Sequence, residues 1–231
     1  MRVAPKPTLL RYDAVLLDID GTLVDSNAAH AAAWSDAFAA HGRRHSPEEI
    51  RPLIGMGGDK LLREVASLDD ESGEGKSIAE ARVEIFRNHY LPTLKPTPGA
   101  AAFVEWLLES RLTVVVATSA KEDEVKALLT ICGGQALVKD ATTSDDAERS
   151  KPDPDIVVAA LEKSGSSPDR AIMIGDTPYD IEAARRAGLA TIVFRCGGWD
   201  DAALQGSIAI YDDPKQLLDR LGQSPFYTET S

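Results

Sequence analysis

Two aspartates separated by one residue, Asp18 and Asp20, follow directly on an apolar run at Ala14–Leu17. A short apolar run that ends in acidic residues and a glycine is typical of a buried parallel strand that opens into a loop. In open α/β sheets, ligands bind at this carboxyl edge of the strands. Two carboxylates in one pocket repel each other unless a proton or a cation such as Mg²⁺ lies between them. A plain acidic turn has the same sequence, so this pair alone does not decide between the two interpretations.

Polar side chains of the kind that phosphoryl transfer needs also lie at three other predicted strand or helix ends. They are Thr118 and Ser119 after the apolar run 114–117, Lys151 before a predicted helix, and Asp176 and Asp180 after the apolar run 172–174. Carboxylates suit Mg²⁺, which takes oxygen ligands, and a lysine at a helix start adds to the positive end of the helix dipole. Each residue alone has an ordinary explanation as a cap, a turn or a solvated lysine. Their order along the chain favours a phosphoryl-transfer site.

The composition of the 231-residue chain is that of a globular protein, with 43% hydrophobic and 27% charged residues. Its net charge of -12 and isoelectric point of about 4.8 argue against nucleic acid or an anionic membrane as the main partner. Any phosphate site must therefore be made positive locally. The two cysteines, Cys132 and Cys196, are far apart in sequence and indicate a reducing compartment. No apolar run has the length of a signal peptide or a membrane span, so we expect a cytoplasmic protein.

The segment 27–92 has helical patterns and no strand pattern. Helices are predicted at 27–40, where Asn27 can cap the first turn, from Ser46 and Pro47 onward, at 59–67 and at 78–89, with a surface loop at 69–76. The proline-rich residues 91–99 form a predicted linker. We therefore expect residues 27–92 to be an all-helical insert.

From residue 100 onward, predicted helices and strands alternate. The strands are predicted at 112–117, 171–174, 191–194 and 208–211, the helices at 100–110, 122–131, 154–164, 178–187 and 214–221, and a short apolar segment at 136–138. This alternation implies a parallel sheet with helices on both faces. The strand that ends at Leu17 belongs to the same sheet, so the insert lies on its first crossover. Residues 222–231 are predicted to be a poorly ordered tail.

In this order the motifs resemble those of the haloacid dehalogenase superfamily, in its Mg²⁺-dependent phosphatase branch with a helical cap. The matching residues are Asp18-x-Asp20-Gly21-Thr22, Thr118, Lys151-Pro152-x-Pro154, and Gly175-Asp176-x-x-x-Asp180 followed by Ala183-Ala184-x-x-Ala187-Gly188. The resemblance covers nearly the whole chain and is nearest to phosphoglycolate phosphatases and β-phosphoglucomutases. It implies an α/β fold with a Rossmann-like parallel sheet core, residues 1–26 and 93–231, and a small all-helical cap domain, residues 27–92, inserted after the first strand.

The resemblance also implies a reaction, the hydrolysis of a small-molecule phosphomonoester through an aspartyl-phosphate. Asp18 would be the nucleophile that attacks phosphorus. Asp20 would protonate the leaving alkoxide and then take a proton from the attacking water. The first of these two roles needs Asp20 to be protonated when the substrate binds. Because dehalogenases of the same superfamily lack a carboxylate at the second position, Asp20 favours phosphoryl over halide chemistry.

The remaining roles implied by the resemblance concern the cofactor and the phosphoryl group. Mg²⁺ would be held by Asp18, the main-chain carbonyl of Asp20 and Asp176, with Asp180 in support. Thr118 and Lys151 would orient and neutralise the phosphoryl oxygens, which accounts for most of the catalysis in phosphoryl transfer. Ser119 would contact the phosphate beside Thr118.

In related proteins a cap turn closes over the site and contacts the leaving group, and here that turn is 55–60. The cap-side residues expected nearest the substrate are Gly57, Gly58, Lys60 and His30, together with Lys121 from the core. An ordinary helix-surface position explains His30, Lys60 and Lys121 equally well.

Two alternatives to the phosphatase stay open at this point. One is a β-phosphoglucomutase-like mutase, although the cap turn has no arginine to hold a second phosphate and Lys121 is followed by Glu122 rather than asparagine. The other is a catalytically idle binding module of the same fold, which the full set of competent residues disfavours. As partners we expect a small phosphorylated metabolite, no nucleic acid and no membrane, in a monomer or weak homodimer.

Overall fold

The computed structural model describes residues 10–71, 73–143, 146 and 149–228. Within them the strands are β1 Ala14–Leu17, β2 Thr113–Ala117, β3 Ala141–Thr142, β4 Ala171–Gly175, β5 Ala190–Phe194 and β6 Ala209–Tyr211. They form one parallel sheet in the order β3-β2-β1-β4-β5-β6. The predicted α/β class with a parallel sheet is confirmed.

The central strand β1 is buried along its whole length because both of its edges are paired. Leu17 lies opposite Val116 of β2 and Ile174 of β4. Successive side chains of a strand point to opposite faces, and accordingly Val15 and Leu17 join one apolar cluster while Leu16 joins another. The chain adds β2 and β3 on one side of β1 and then crosses to add β4 on the other side. The carboxyl ends of β1 and β4 therefore flank the switch point at which such sheets bind ligands.

Helices cover both faces of the sheet. In the described part of the chain they are α1 Asn27–Ala40, α2 Pro47–Ile50, α3 Gly58–Ala66, α4 Gly73–Ile85, α5 Ala100–Glu109, α6 Glu122–Ile131, α7 Asp155–Ser164, α8 Pro178–Arg186 and α9 Pro214–Asp219. Helices α5, α6 and α9 bury residues in the first cluster, and α7 and α8 bury residues in the second. None of the helices described is long and apolar enough to cross a membrane.

Residues 27–92, the helical insert, contain α1 to α4 and no strand among the residues described. The insert has its own apolar cluster, in which Trp34 and Phe38 of α1 pack with Leu61 of α3 and Ile78 of α4. Helix α2 begins in a capping box, where the Ser46 hydroxyl accepts the Glu49 N–H and the Glu49 carboxylate accepts the Ser46 N–H. The insert thus packs around a small core of its own beside the sheet.

Three predicted segments differ from the structure. Helix α4 begins at Gly73, inside the predicted loop 69–76, and a π-helical turn at Phe86–Tyr90 follows it. The apolar segment 136–138 lies in a 3₁₀ turn, Gln135–Asp140, so that the edge strand β3 comes just after it. The predicted tail 222–231 is wrong for residues 222–228, because Phe226 is buried in the main core. Residues 229–231 lie outside the described residues.

Candidate active site

A buried lysine joins two of the strand ends at the carboxyl edge of the sheet. Asp18 follows β1, and Lys151 comes from the loop before α7. The Lys151 ammonium donates to Asp18 Oδ1 and to Asp180 Oδ1, each at 2.7 Å, and to the Ala117 carbonyl at 2.9 Å. Lys151 is only 1% exposed. Its charge is therefore shared among groups of β1, β2 and α8 rather than with bulk solvent.

Asp176 lies directly after β4 and is fully buried. The Thr22 hydroxyl donates to Asp176 Oδ1 at 3.0 Å, and Asn27 Nδ2 donates to Asp176 Oδ2 at 2.7 Å. The adjacent helix α8 begins in a capping box, in which Asp180 Oδ2 accepts the Thr177 N–H at 3.0 Å and the Thr177 hydroxyl at 2.7 Å. These bonds hold the loop between β4 and α8 in one conformation.

The charges of these groups are strongly perturbed. Burial, opposed by Lys151 and assisted by the charge of Asp180, raises the pKa of Asp18 to about 7. Burial and the neighbouring carboxylates of Asp180 and Asp18 raise the pKa of Asp176 well above its ordinary value. Burial would lower the pKa of Lys151, but Asp18 and Asp180 raise it instead. The cluster thus has three carboxyl groups and one ammonium, and the raised pKa values of Asp18 and Asp176 show that their negative charge is not fully compensated.

This excess of negative charge fits a hard divalent cation. Asp18, Asp176 and Asp180 each offer an oxygen, and the three oxygens lie within 4.8 Å of one another. All three residues are buried. Oxygen ligands at a strand edge that opens onto a cavity are the donor set that Mg²⁺ prefers. The side chains present therefore fit Mg²⁺.

Hydroxyl and amide groups at the end of β2 lie beside this carboxylate cluster. Thr118 is buried, and its Oγ1 accepts the Ala120 N–H at 3.1 Å. The Ser119 Oγ is buried and has no hydrogen-bond partner among the residues described. Both residues line the same cavity as Asp18. A phosphoryl oxygen in that cavity would supply the acceptor that the Ser119 hydroxyl lacks.

Asp20 is held by the side chains of Ser26, just before α1, and His30, in α1. Its Oδ1 accepts the Ser26 hydroxyl at 2.5 Å and lies 2.8 Å from His30 Nε2. The other ring nitrogen, His30 Nδ1, lies 2.6 Å from Arg82 Nη2. Because a guanidinium can only donate, Nδ1 must accept, so Nε2 carries the proton and donates to Asp20.

These contacts determine the charge of Asp20. Burial would raise the pKa of Asp20, but the contact with His30, the Ser26 hydroxyl and the charge of Arg82 together lower it below its ordinary value. Asp20 is consequently ionised at neutral pH in this arrangement. The proton that the sequence analysis required on Asp20 at substrate binding is not favoured here.

A cavity of about 690 Å³ separates the carboxyl edge of the sheet from the helical insert. Asp18, Asp20 and Thr118 line its floor, and Trp34, Met56 and Arg82 are among the insert residues that line its roof. The insert also touches the core directly, since Gly57 N donates to the Lys151 carbonyl at 3.4 Å and the Tyr179 hydroxyl donates to the Pro52 carbonyl at 2.7 Å. The insert thus covers the strand ends.

Comparisons with known proteins place the whole arrangement in a family. Residues 15–194 match the model of the haloacid dehalogenase-like hydrolases. The chain belongs to this family. It is 31% identical over 182 residues to a validoxylamine A 7'-phosphate phosphatase of Streptomyces hygroscopicus subsp. limoneus, covering 77% of this chain and 83% of the relative. It is 28% identical over 235 residues to a phosphoglycolate phosphatase of Rhodospirillum rubrum, covering 94% of this chain and 98% of the relative.

Among solved structures, a hydrolase from Pseudomonas syringae has the same fold, with a TM-score of 0.82 and 30% sequence identity. The superposition covers 91% of this chain and 98% of that chain. The similarity therefore extends over the sheet and the helical insert together.

In this haloacid dehalogenase-like hydrolase the structure brings the sequence-predicted residues to one place. Those lining the cavity are Asp18, Asp20, His30, Gly57, Gly58, Lys60, Thr118, Ser119, Lys121 and Asp180. Lys151 and Asp176 lie buried directly behind Asp18, since Lys151 donates to Asp18 and Thr22 lies within reach of both Asp18 and Asp176. Their catalytic and binding roles stay predictions at this stage.

The cap-side lysine behaves differently from the expectation. The Lys60 ammonium donates to the Ser150 carbonyl and to Asp153 Oδ2, both at 2.6 Å. Its charge therefore ties the insert to the core and is not free for a substrate. The Lys121 ammonium, in contrast, has no hydrogen bond or ion pair to another described residue and faces the cavity.

Four residues of this hydrolase site were not found from sequence. Ser26 and Asn27 hold Asp20 and Asp176, while Arg82 and Glu124 form an ion pair across the boundary between α4 and α6. Ser26 and Asn27 lie just after the first motif, and the sequence pattern indicated only a helix cap at Asn27. Nothing local in the sequence marks Arg82 or Glu124, because they lie 42 positions apart.

Proposed function

We propose that the protein is a Mg²⁺-dependent phosphatase that hydrolyses a small-molecule phosphomonoester through an aspartyl-phosphate on Asp18. The observation that carries the proposal is the position of Asp18. It lies at the switch point of the sheet, faces the cavity, and has its Oδ1 held at 2.7 Å by Lys151. Membership of a hydrolase family with relatives named as phosphatases supports the same reaction.

In the first half-reaction, an Asp18 oxygen attacks phosphorus and the bond between phosphorus and the ester oxygen breaks. Asp20 has to enter the substrate complex protonated, although the contacts in the site without substrate favour its carboxylate. The leaving oxygen then takes this proton, so the alcohol departs neutral and Asp20 becomes a carboxylate. Lys151 and the Thr118 and Ser119 groups neutralise and orient the phosphoryl oxygens as charge moves through them. The product of this step is an acyl phosphate on the Asp18 carboxylate.

In the second half-reaction, water attacks the phosphorus of the aspartyl-phosphate. Asp20 takes a proton from this water, the bond between phosphorus and the Asp18 oxygen breaks, and inorganic phosphate leaves. This step needs Asp20 as a carboxylate. The lowered pKa of Asp20, with His30 donating to it, suits this second step.

We further propose that Mg²⁺ is the cofactor, held by Asp18 and Asp176 with the Asp20 carbonyl, and with Asp180 in support. When bound, the cation supplies positive charge that offsets the repulsion between the nucleophilic carboxylate and an anionic phosphate. Asp180 also has a structural role, because its oxygens accept hydrogen bonds from Lys151 and Thr177. It therefore fixes the lysine and the loop that carries Asp176.

The substrate that we propose is a small phosphorylated metabolite with a polar leaving group, contained in the cavity of about 690 Å³. Lys121 lines this cavity and has no ion pair to another described residue, so its ammonium is available to a polar leaving group. A mutase is the second candidate. Two arginines of the insert line the cavity: Arg82 is occupied by His30 and Glu124, and Arg63 lies 3.7 Å from Asp69. The turn 55–60 itself has no arginine to hold a second phosphate, which favours hydrolysis.

We also propose that residues 27–92 are a cap domain on a core of residues 1–26 and 93–231. The protein would act in the cytoplasm as a monomer or weak homodimer, without nucleic acid or membrane partners. The net charge of -12 and the two free cysteines support this part of the proposal.

The test is phosphate release from a panel of sugar phosphates, phosphoglycolate and nucleotide monophosphates, first with Mg²⁺ and then with EDTA. We expect release from a narrow set, dependent on Mg²⁺, and abolished in a folded Asp18→Asn variant. Release by Asp18→Asn would contradict the nucleophile. If no ester were hydrolysed, phosphorus NMR of hexose 1-phosphate with a bisphosphate primer would distinguish a mutase from an idle binding module.

A further inference from the structure

Arg82 connects the Asp20 side of the site to the core of the protein. It lies on α4 in the helical insert, and its Nη2 donates to His30 Nδ1 at 2.6 Å. Its Nη1 donates to Glu124 Oε1 at 2.9 Å, and Glu124 belongs to α6, a helix that packs on the sheet. A single guanidinium thus spans the boundary between the insert and the core.

The guanidinium of Arg82 lies close to two aromatic rings. The guanidinium carbon lies 5.2 Å from the Phe86 ring centroid and 5.7 Å from that of Trp34. The same Phe86 ring stacks on His30 at 4.0 Å with an interplanar angle of 12°. Aromatic faces attract a cation without directing its N–H groups. The carboxylate of Glu124 supplies that direction.

Glu124 lies in the first turn of α6, yet its side chain is buried. Its side chain is 2% exposed and that of Arg82 is 15% exposed, so the pair is largely shielded from water. Glu124 Oε2 and Arg82 Nε are both buried and have no hydrogen-bond partner among the residues described. Burying a carboxylate with an unsatisfied oxygen is costly. Such a cost is commonly found where a group serves the reaction rather than stability.

We propose that Glu124 is a positioning residue for the phosphatase reaction. It holds Arg82 so that His30 presents its Nε2–H to Asp20, through contacts of 2.9 Å, 2.6 Å and 2.8 Å in turn. The inference rests on the proposed function, since it assigns Asp20 the proton transfers of that reaction.

The neighbouring pair across the same boundary provides a matched control. Arg87, in the π-helical turn after α4, lies 3.5 Å from Asp123 of α6, and both side chains are well exposed. This pair joins nearly the same two segments but touches neither His30 nor Asp20. Asp123→Ala therefore removes a boundary ion pair without disturbing the contact that orients Asp20.

The test compares two esters that differ in their need for a proton on the leaving oxygen. Benzyl phosphate releases a strongly basic alkoxide and needs the proton, whereas p-nitrophenyl phosphate releases a stable phenolate and does not. For Glu124→Ala we expect kcat/KM to fall at least about tenfold for benzyl phosphate, because Asp20 is then no longer held in the orientation that delivers its proton to the leaving oxygen. This loss is a part of the 10²–10⁴-fold typical of general acid catalysis. For p-nitrophenyl phosphate we expect kcat/KM within about threefold of the wild type, because the first half-reaction then needs no acid.

Two further variants keep the inference testable if Glu124→Ala folds poorly. Glu124→Gln keeps an acceptor for Arg82 and should show an intermediate loss with the same dependence on the ester. In an Arg82→Met background, Glu124→Ala should cause no additional loss, since Glu124 acts through Arg82. Asp123→Ala should match the wild type with both esters.

Equal losses with both esters in the Glu124 variants would overturn the inference, because a merely structural role lowers the active fraction for every substrate alike. Additive losses of Glu124→Ala and Arg82→Met would overturn it as well. If the wild type itself released phosphate from neither ester nor from the metabolite panel, the proposed function would fail, and this inference with it.

Discussion

Lys151 and Asp18 form a buried ion pair at the centre of the sheet edge, with 2.7 Å between the ammonium and Asp18 Oδ1. The same ammonium lies 2.7 Å from Asp180, so one cation stabilises two carboxylates, one directly after β1 and one in the first turn of α8. Buried charges are tolerated where they are paired and hydrogen-bonded. The pair therefore serves the fold as well as the proposed phosphate site.

Replacing Lys151 should lower both the stability of the fold and the rate of phosphate release. Lys151→Met leaves two buried carboxylates without their cation, and the free energy of unfolding in EDTA should fall by about 3–5 kcal/mol. Phosphate release should fall at least about 100-fold, since the cation that orients the phosphoryl oxygens is lost. Urea unfolding and a phosphate assay measure the two effects. Lys126→Met, at an exposed position of α6, is the control. A Lys151→Met protein as stable as the wild type in EDTA would contradict the argument.

Asn27 should tune the affinity for Mg²⁺ without being a ligand. Its Nδ2 donates to Asp176 Oδ2 at 2.7 Å and to the Gly197 carbonyl at 3.1 Å, which fixes the Asp176 carboxylate. Loss of such a supporting bond typically weakens metal binding 10–100-fold. We expect Asn27→Ala to weaken Mg²⁺ binding by about this factor in a calorimetric titration. Asn88→Ala, at an exposed site, should leave it unchanged. Unchanged binding by Asn27→Ala would show that Asp176 is oriented by other groups.

The sheet was predictable because its signals are local. β1, β2 and β4 are apolar runs that end in polar residues, and their register in a parallel sheet brings those ends together. The position of Asp18, Thr118 and Asp176 at one edge follows from this pattern alone. The parts that local patterns could not predict are those determined by contacts distant in sequence.

Two wrongly predicted segments illustrate such contacts. Helix α4 begins at Gly73 although glycines at 73 and 75 and a serine at 77 are poor helix formers. The bidentate ion pair of Arg43 with Glu74, at 2.8 Å for both bonds, holds this first turn against the loop after α1. The C-terminal segment is ordered because Phe226 packs at 4.9 Å from the Trp106 ring centroid. The Arg82 contacts with His30 and Glu124 could not be predicted from local patterns either, because they also join residues that are distant in sequence.

A further prediction concerns the close approach of the insert to the core at Gly57. A Cβ at this position would lie 2.1 Å from the Ser150 Cβ. Gly57→Ala should therefore displace the turn from Ser150 and lower kcat/KM by about 10²-fold, the loss typical of a misplacement of about 1 Å. Ser150→Gly in the same chain should restore much of the activity by making room. Gly222→Ala, where nothing lies within 4 Å, is the control. Wild-type kinetics in Gly57→Ala would mean that the turn needs no contact with Ser150.

The stabilisation by Mg²⁺ should depend on pH because the cation and protons compete for the same carboxylates. Burial raises the pKa of Asp18 to about 7 and that of Asp176 above its ordinary value. Without metal, the folded protein therefore holds more protons than the unfolded chain between about pH 4 and pH 7, and its stability falls as the pH rises through this window. Mg²⁺ binds the ionised carboxylates of Asp18 and Asp176. Below pH 7 its binding must therefore displace protons from them, whereas above pH 7 the carboxylates are already ionised.

We therefore expect the rise in Tm on adding Mg²⁺ to be larger at pH 8 than at pH 6. A difference of about 1 kcal/mol in binding free energy between the two pH values would change the rise in Tm by about 2–4 °C for a chain of this size. Thermal melts with Mg²⁺ and with EDTA at both pH values measure it. Asp18→Asn removes one of the competing groups, so the dependence on pH should be smaller in that variant. An equal or larger shift at pH 6 would mean that the cation does not bind these carboxylates.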